Sequence, residues 1–194
     1  MSKQIVGVDE VGRGCLAGPV VAAAVILPEE HADWIDEIRD SKKLSEKKRE
    51  RLAALIQEHC TWSIRESSVA EVDKQNILRA SLQAMFRAVH SVCTQNTEVE
   101  LVLVDGTHKI PKCPLPQETV KGGDDIHKCI GAASIIAKVH RDNYMKGMDT
   151  LYPEYGFAQH KGYGTEQHRQ AIMEHGITPL HRKTFKGVTE YVQS

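Results

Sequence analysis

Apolar residues fall into short runs divided by polar and glycine-rich turns, and the spacing within each run predicts its element. Residues 3–9 form an apolar strand-like run that ends on Asp9-Glu10. Pro19 to Leu27 (PVVAAAVIL) is a second run, stopped by Pro28; its length and valine content predict a strand, hairpin-paired with the first. Thr61–Val69 opens with alternating Trp62 and Ile64, a third strand. Val99–Val104 is a short fourth strand closing on Asp105-Gly106, and Glu118–Lys121 a short edge strand. Between them the period changes. Ser45 is placed to N-cap a helix running to about His59, with Leu52, Leu55 and Ile56 on one face. After Asn76, a second cap, Leu78, Leu82, Met85, Phe86, Val89 and Cys93 recur at helical spacing. Ile130 to about Met148 reads as a helix rich in small residues, suited to close packing, and Thr165–His175 as a further short helix. Residues 107–117 contain three prolines and read as loop. Strands first, then strand–helix alternation, predict an α/β fold with a mixed sheet and helices packed on it.

A length of 194 residues suits one domain with a sizeable core. The expected division is a core of about 1–150 and a C-terminal segment of about 151–194, where Gly, Tyr, His and Lys become frequent. Composition is ordinary for a globular chain, 41% hydrophobic and 26% charged. A net charge of −1 gives no global basic field, which disfavours a simple electrostatic DNA binder but not an enzyme that masks an acidic site with metal. The five cysteines (Cys15, Cys60, Cys93, Cys113, Cys129) are odd in number and lack CxxC spacing, so free thiols in a reducing compartment are expected. Neither a signal-peptide layout nor an apolar stretch of roughly 18 residues is present, so a cytoplasmic protein without membrane contact is expected.

The chemistry concentrates at strand ends. Asp9 and Glu10 repel one another unless a cation holds them, and Asp105 ends another strand. If those strands are neighbours the acids converge, with Asp124-Asp125 as a further acidic point before the small-residue helix. Converging carboxylates of this kind hold two Mg²⁺ or Mn²⁺ ions about 4 Å apart and support in-line phosphodiester hydrolysis. A single acid at a strand end is ordinarily a turn cap; two such ends beside Gly12-Arg13-Gly14 are not so easily explained.

Other readings are weaker. Gly12-x-Gly14-x-x-Ala17 resembles a dinucleotide fingerprint, yet two acids would face the pyrophosphate and a strand follows where a helix is required. The ten histidines lack zinc-ligand spacing, and no G-x-S-x-G elbow supports serine hydrolase chemistry. Residues 39–51 hold seven Lys/Arg against three Asp/Glu, most of which read as a solvated helix face. Lys42 and Lys43 precede that helix and are better placed to meet phosphates. His160-Lys161-Gly162-Tyr163-Gly164-Thr165 combines a cation, a flexible backbone and an aromatic ring, and His181-Arg182-Lys183 adds donors.

Taken in order, DEVGRG (9–14), AGPVVAAAVIL (17–27), DSKKLS (40–45), NILRASL (76–82), LVDG (103–106), AASIIAKVHRD (132–142), YGFAQHKGYGT (155–165) and GITPLHRKTF (176–185) resemble bacterial ribonuclease HII, the type 2 ribonuclease H. The resemblance implies a ribonuclease H-like fold with a five-stranded mixed sheet and a helical C-terminal extension. It implies cleavage of the RNA strand of RNA–DNA hybrids and incision 5′ to single ribonucleotides in duplex DNA, leaving 3′-hydroxyl and 5′-phosphate ends, in ribonucleotide and RNA-primer removal by a monomer. Asp9, Glu10 and Asp105 match the family's metal-binding acids. Counting back from Ala132 favours Asp124 over Asp125 as the fourth, although Lys121-Gly122-Gly123 carries an extra glycine; Asp142 reads as structural. Gly12, Arg13, Gly14 and Tyr163 match the group that senses the ribose 2′-hydroxyl, and Lys42, Lys43, Lys161 and Arg182 are expected to contact substrate. Rivals are another nuclease of the same fold, such as a resolvase or integrase, and a non-catalytic nucleic-acid module.

Overall fold

The computed structural model describes residues 4–95 and 98–192. Residue 3, where the sequence pattern starts the first strand, lies outside them. Along the chain run β1 (Gln4–Val11), β2 (Val20–Ile26), α1 (Asp33–Asp36), α2 (Glu46–His59), β3 (Thr61–Ser67), α3 (Val69–Gln75), α4 (Ile77–Gln95), β4 (Val99–Asp105), β5 (Gln117–Val120), α5 (Gly123–Ile126), α6 (Lys128–Leu151), α7 (Phe157–His160) and α8 (Glu166–His175). The strands form one mixed sheet in the order β3-β2-β1-β4-β5. β1–β2 and β2–β3 are antiparallel, while β1–β4 and β4–β5 are parallel.

β2 explains its own sequence. All seven residues are buried. Ala22, Ala24 and Ile26 pack with Val6 and Val8 against Ala84, Met85, Ala88 and Val92 of α4. Val21, Ala23 and Val25 face the other way, toward Leu52 and Ile56 of α2 and Ala132, Ala133 and Ile136 of α6. A strand covered on both faces reads as a continuous apolar run instead of an alternating one. The small residues of α6 bring it close to the sheet: a Cβ on Gly7 would lie 2.3 Å from the Cys129 backbone carbon.

Both expected caps are present. Ser45 accepts from the Lys48 N–H and Asn76 Oδ1 from the Arg79 N–H. The four-residue helices α1, α5 and α7 escaped the sequence pattern, and so did the longer α3. β3 ends at Ser67, and Ser68 with Glu71 forms a capping box that starts α3 where Val69 read as strand. All five cysteines are free. Among the described residues no helix is long and apolar enough to cross a membrane.

The C-terminal segment has its own cluster, in which Tyr155, Phe157, Ala171, Ile172, Leu180 and Val188 close over Leu16, Ala17 and Met145. His168 and His181 are fully buried within it. Burial lowers both from the usual 6.5 to about 4. The unfolded chain protonates these rings near pH 6.5 and the fold only near pH 4, so stability present above pH 6.5 is drawn down as the pH falls between those values. The full effect per ring is on the order of 3 kcal/mol. We expect the melting temperature of the wild type to fall more between pH 7 and pH 4.5 than that of His168→Phe, which has one titrating ring fewer; equal falls would contradict it.

Candidate active site

Parallel pairing of β1 with β4 brings the acids together. Val8 lies opposite Val104, so Asp9-Glu10 and Asp105 sit side by side at the C-terminal ends of neighbouring strands. Successive strand side chains point to opposite faces. Asp9 therefore turns toward α6, beside Ser134, and Glu10 toward α4, where it also borders a small hollow with Leu78, Ser81, Leu82 and His108. The fourth acid arrives from α5. Gly122 takes a left-handed turn (φ 67°), and Gly123 fits where a Cβ would lie 2.5 Å from the Ile130 side chain. The Gly123 N–H donates to Asp105 Oδ1 at 2.8 Å. The doubled glycine thus has two separate jobs: one turns the chain and the other docks α5 on Asp105. This leaves Asp124 lining the same cleft as Asp9, Glu10 and Asp105. Asp125 points away; it is ion-paired with Lys43 and accepts from the Asp40 N–H.

The cleft, of about 540 Å³, is also lined by Gly12, Arg13, Gly14, Lys42 and Tyr163. Asp9 is 6% exposed. Its carboxyl is pushed well above the usual range by burial, then by Glu10 and Asp105. Glu10 is raised by burial, with Arg13 opposing. Asp124 is raised by burial, then by Asp40 and Asp105. Arg13 Nη1 donates to Glu10 Oε1 at 3.1 Å, whereas Glu10 Oε2 is buried without a hydrogen-bond partner. Crowded, desolvated carboxylates with an orphaned oxygen are a donor set short of positive charge, and hard divalent cations fit it. Among the described residues no three His, Cys, Asp or Glu side chains close into a finished cage. An open carboxylate cleft suits ions that share their coordination with a substrate phosphate.

Three expected substrate contacts lie elsewhere. Lys43 is held by Asp125 outside the cleft lining. Lys161 Nζ turns back to the Ala158 carbonyl. Arg182 is fully buried. It donates to the carbonyls of Gly18 (3.0 Å) and Arg13 (3.0 Å), so it props the Gly12–Gly14 turn from behind. Arg141 does the same from α6, through the carbonyls of Pro19, Lys161 and Ala17. Gly12, at φ 94°, has no room for a side chain because a Cβ would lie 2.3 Å from Arg141 Nε. Tyr163 reaches the cleft beside this turn through a β-bridge to Cys15.

Ser41, Arg49, Ser134 and Lys138 also line the cleft and were not singled out from the sequence. Arg49 was grouped with a solvated helix face; it in fact donates to the carbonyls of Ser41 (2.7 Å) and Leu44 (2.9 Å). Lys138 holds Asp142 at 2.7 Å and lies over the Tyr163 ring, 5.7 Å from its centroid. The spacing Ser134, Lys138, Asp142 is one helix face, which was the available signal.

Comparison with known proteins agrees with this geometry. The sequence profile of the ribonuclease HII family matches residues 6–188. A ribonuclease HII of Dichelobacter nodosus is 47% identical, covering 98% of both chains. The ribonuclease H2 structure of Pyrococcus horikoshii superposes with a TM-score of 0.80 at 22% identity, over 97% of this chain and 96% of that one. Bst-RNase HIII in complex with Mn²⁺ gives 0.77 at 18% identity, over 98% of this chain and 69% of that one.

Proposed function

Because the chain belongs to the ribonuclease HII family of endoribonucleases, we propose that its acidic cleft hydrolyses the RNA strand of RNA–DNA hybrids and incises duplex DNA on the 5′ side of single ribonucleotides. The observation that carries the reading is the convergence of Asp9, Glu10, Asp105 and Asp124 on one cleft whose neighbouring wall is Gly12-Arg13-Gly14 and Tyr163. The four acids are the residues that would hold two divalent ions, Mg²⁺ or Mn²⁺; a related fold is known in complex with Mn²⁺. Ions bound there supply Lewis acidity that activates water and neutralises charge on the leaving 3′ oxygen.

The remaining work belongs to the chain. Glu10 and Asp105 both act electrostatically on buried Asp9, so Asp9 would be the acid shared by the two ions. Arg13 keeps its guanidinium on Glu10, which leaves the backbone of the turn to meet the sugar. Space is open at Gly14, where a Cβ would meet nothing within 4 Å, so a ribose can approach the main chain directly. A 2′-hydroxyl is the group that separates RNA from DNA at such a point. Tyr163, 39% exposed, offers a ring face to the adjoining deoxyribose. Lys42, which lines the cleft, is placed to meet a phosphate. A monomer is proposed on the family resemblance alone, and free thiols suit the reducing cytoplasm.

The test is a labelled duplex carrying one ribonucleotide, incubated with Mn²⁺, with Mg²⁺ and with chelator. Incision 5′ to the ribonucleotide, giving 3′-hydroxyl and 5′-phosphate ends only with metal, is expected. Equal cutting of an all-DNA duplex, the behaviour of a resolvase-like nuclease, would contradict it.

A further inference from the structure

Three histidines that the chemistry does not use are buried together behind Tyr163. His168 and His181 are wholly buried and His160 is 8% exposed. The rings of His160 and His168 stack with centroids 4.4 Å apart. Their partners fix where each proton lies. The Thr178 N–H can only donate, and it reaches His181 Nδ1 at 2.9 Å, so His181 carries its proton on Nε2. His181 Nε2 faces His168 Nε2 at 3.1 Å, which must therefore accept. His168 then holds its proton on Nδ1, 2.9 Å from the Tyr163 carbonyl, a group that can only accept. A further proton on His168 would set two N–H groups head to head, so the relay works only with both rings neutral, in keeping with their burial.

The loop that carries Tyr163 needs such a hold. Lys161 and Gly162 are consecutive left-handed residues (φ 53° and 83°), and the first is not glycine. The relay also links Tyr163 to the strand-like segment whose next residue, Arg182, supports the Arg13 carbonyl. Both walls of the sugar-sensing gap are thus tied to adjacent residues of one short segment.

We propose that His168 and His181 are positioning residues for the cleft: a neutral two-histidine relay of fixed tautomers, running from Thr178 to the Tyr163 carbonyl, that sets the Tyr163 ring beside the Gly12–Gly14 turn. This rests on the reading of Tyr163 as a sugar contact, and the test separates the two. Nitrogen-resolved NMR of the full chain at pH 7 should find His168 protonated on Nδ1 and His181 on Nε2, both neutral; the opposite tautomers, or an imidazolium at either ring, overturn the relay whatever the activity.

In incision of a duplex with one ribonucleotide, His168→Phe should lose about tenfold in kcat/KM, the effect of one structural hydrogen bond. Tyr163→Ala should lose at least as much, and the double variant no more than Tyr163→Ala alone. Fully additive losses would overturn the proposal. A wild-type rate in Tyr163→Ala would instead remove Tyr163 as a contact, and the NMR result would still decide the relay. His168→Asn keeps a donor near the Nδ1 position and should recover most of the rate; a loss equal to that of His168→Phe overturns the proposal. If His168→Phe does not fold, His168→Gln replaces it, since it can still bond toward His181 but drops the donor to Tyr163. The rise in melting temperature caused by Mn²⁺ should be the same in every variant; its loss would move the defect to the carboxylates and overturn the proposal.

Discussion

Asp9→Asn is expected to lower incision on the order of 10⁴-fold, the scale of losing one member of a catalytic group that acts as a unit, while raising the melting temperature of the metal-free protein. The two effects have one cause. Asp9 is buried next to Glu10 and Asp105, and its carboxyl is raised well above the usual range. A carboxyl raised in the fold disfavours the charged form there, so stability is lost as the pH climbs from the unfolded value through the folded one. At neutral pH without metal the protein bears that cost, and the neutral amide removes it. Each kcal/mol recovered is worth roughly 2–4 °C in a domain of this size. Divalent ions should reverse the order, raising the melting temperature of the wild type more than that of Asp9→Asn. Thermal unfolding of both proteins with and without Mn²⁺ checks this; an unchanged or lower melting temperature for the metal-free variant would count against a site stored under charge repulsion.

Arg141→Met should lower the melting temperature by on the order of 10 °C and slow incision without touching an acid. The Arg141 guanidinium is fully buried. It satisfies three carbonyls, those of Pro19, Lys161 and Ala17, at 2.8–3.0 Å. Methionine preserves the length and apolar stem but leaves those oxygens without a donor, at about 1–3 kcal/mol for each left unsatisfied. Relief of the buried charge offsets part of this, for a net loss of about 3 kcal/mol. Because the three carbonyls lie on either side of the cleft wall, at 17–19 behind the turn and at 161 before Tyr163, both walls should shift. Lysine should not rescue the variant, since one ammonium cannot span the fork. A melting temperature within about 2 °C of wild type would show that this guanidinium does not brace the turn.

Much of this was legible along the chain because it depends on local pattern. The uninterrupted run in β2 marks a strand buried on both faces, and acids that close β1 and β4 become neighbours once those strands pair in parallel. Ser45 and Asn76 mark helix starts by side-chain chemistry alone. What was hidden depends on burial or on distant partners. Val69 looks like the strand continuing, and only the reciprocal Ser68–Glu71 bonds turn the chain into α3. Arg182 and Lys43 read as phosphate contacts because charge in a sequence does not say which way it faces; one lies under the turn and the other is taken by Asp125. His160, His168 and His181 meet only through packing of the C-terminal segment over Leu16 and Met145. Asp124 and Asp125 were nearly equivalent as sequence; the left-handed turn at Gly122 and the Gly123 bond to Asp105 separate them.

That separation gives the most direct test of the four-carboxylate cleft: incision of a duplex with one ribonucleotide by wild type, Asp124→Asn and Asp125→Asn in the same Mn²⁺ buffer. The geometry predicts that Asp124→Asn loses at least about 100-fold and that Asp125→Asn stays within a few-fold of wild type. An inactive Asp125→Asn beside an active Asp124→Asn, or two variants as fast as wild type, would contradict it.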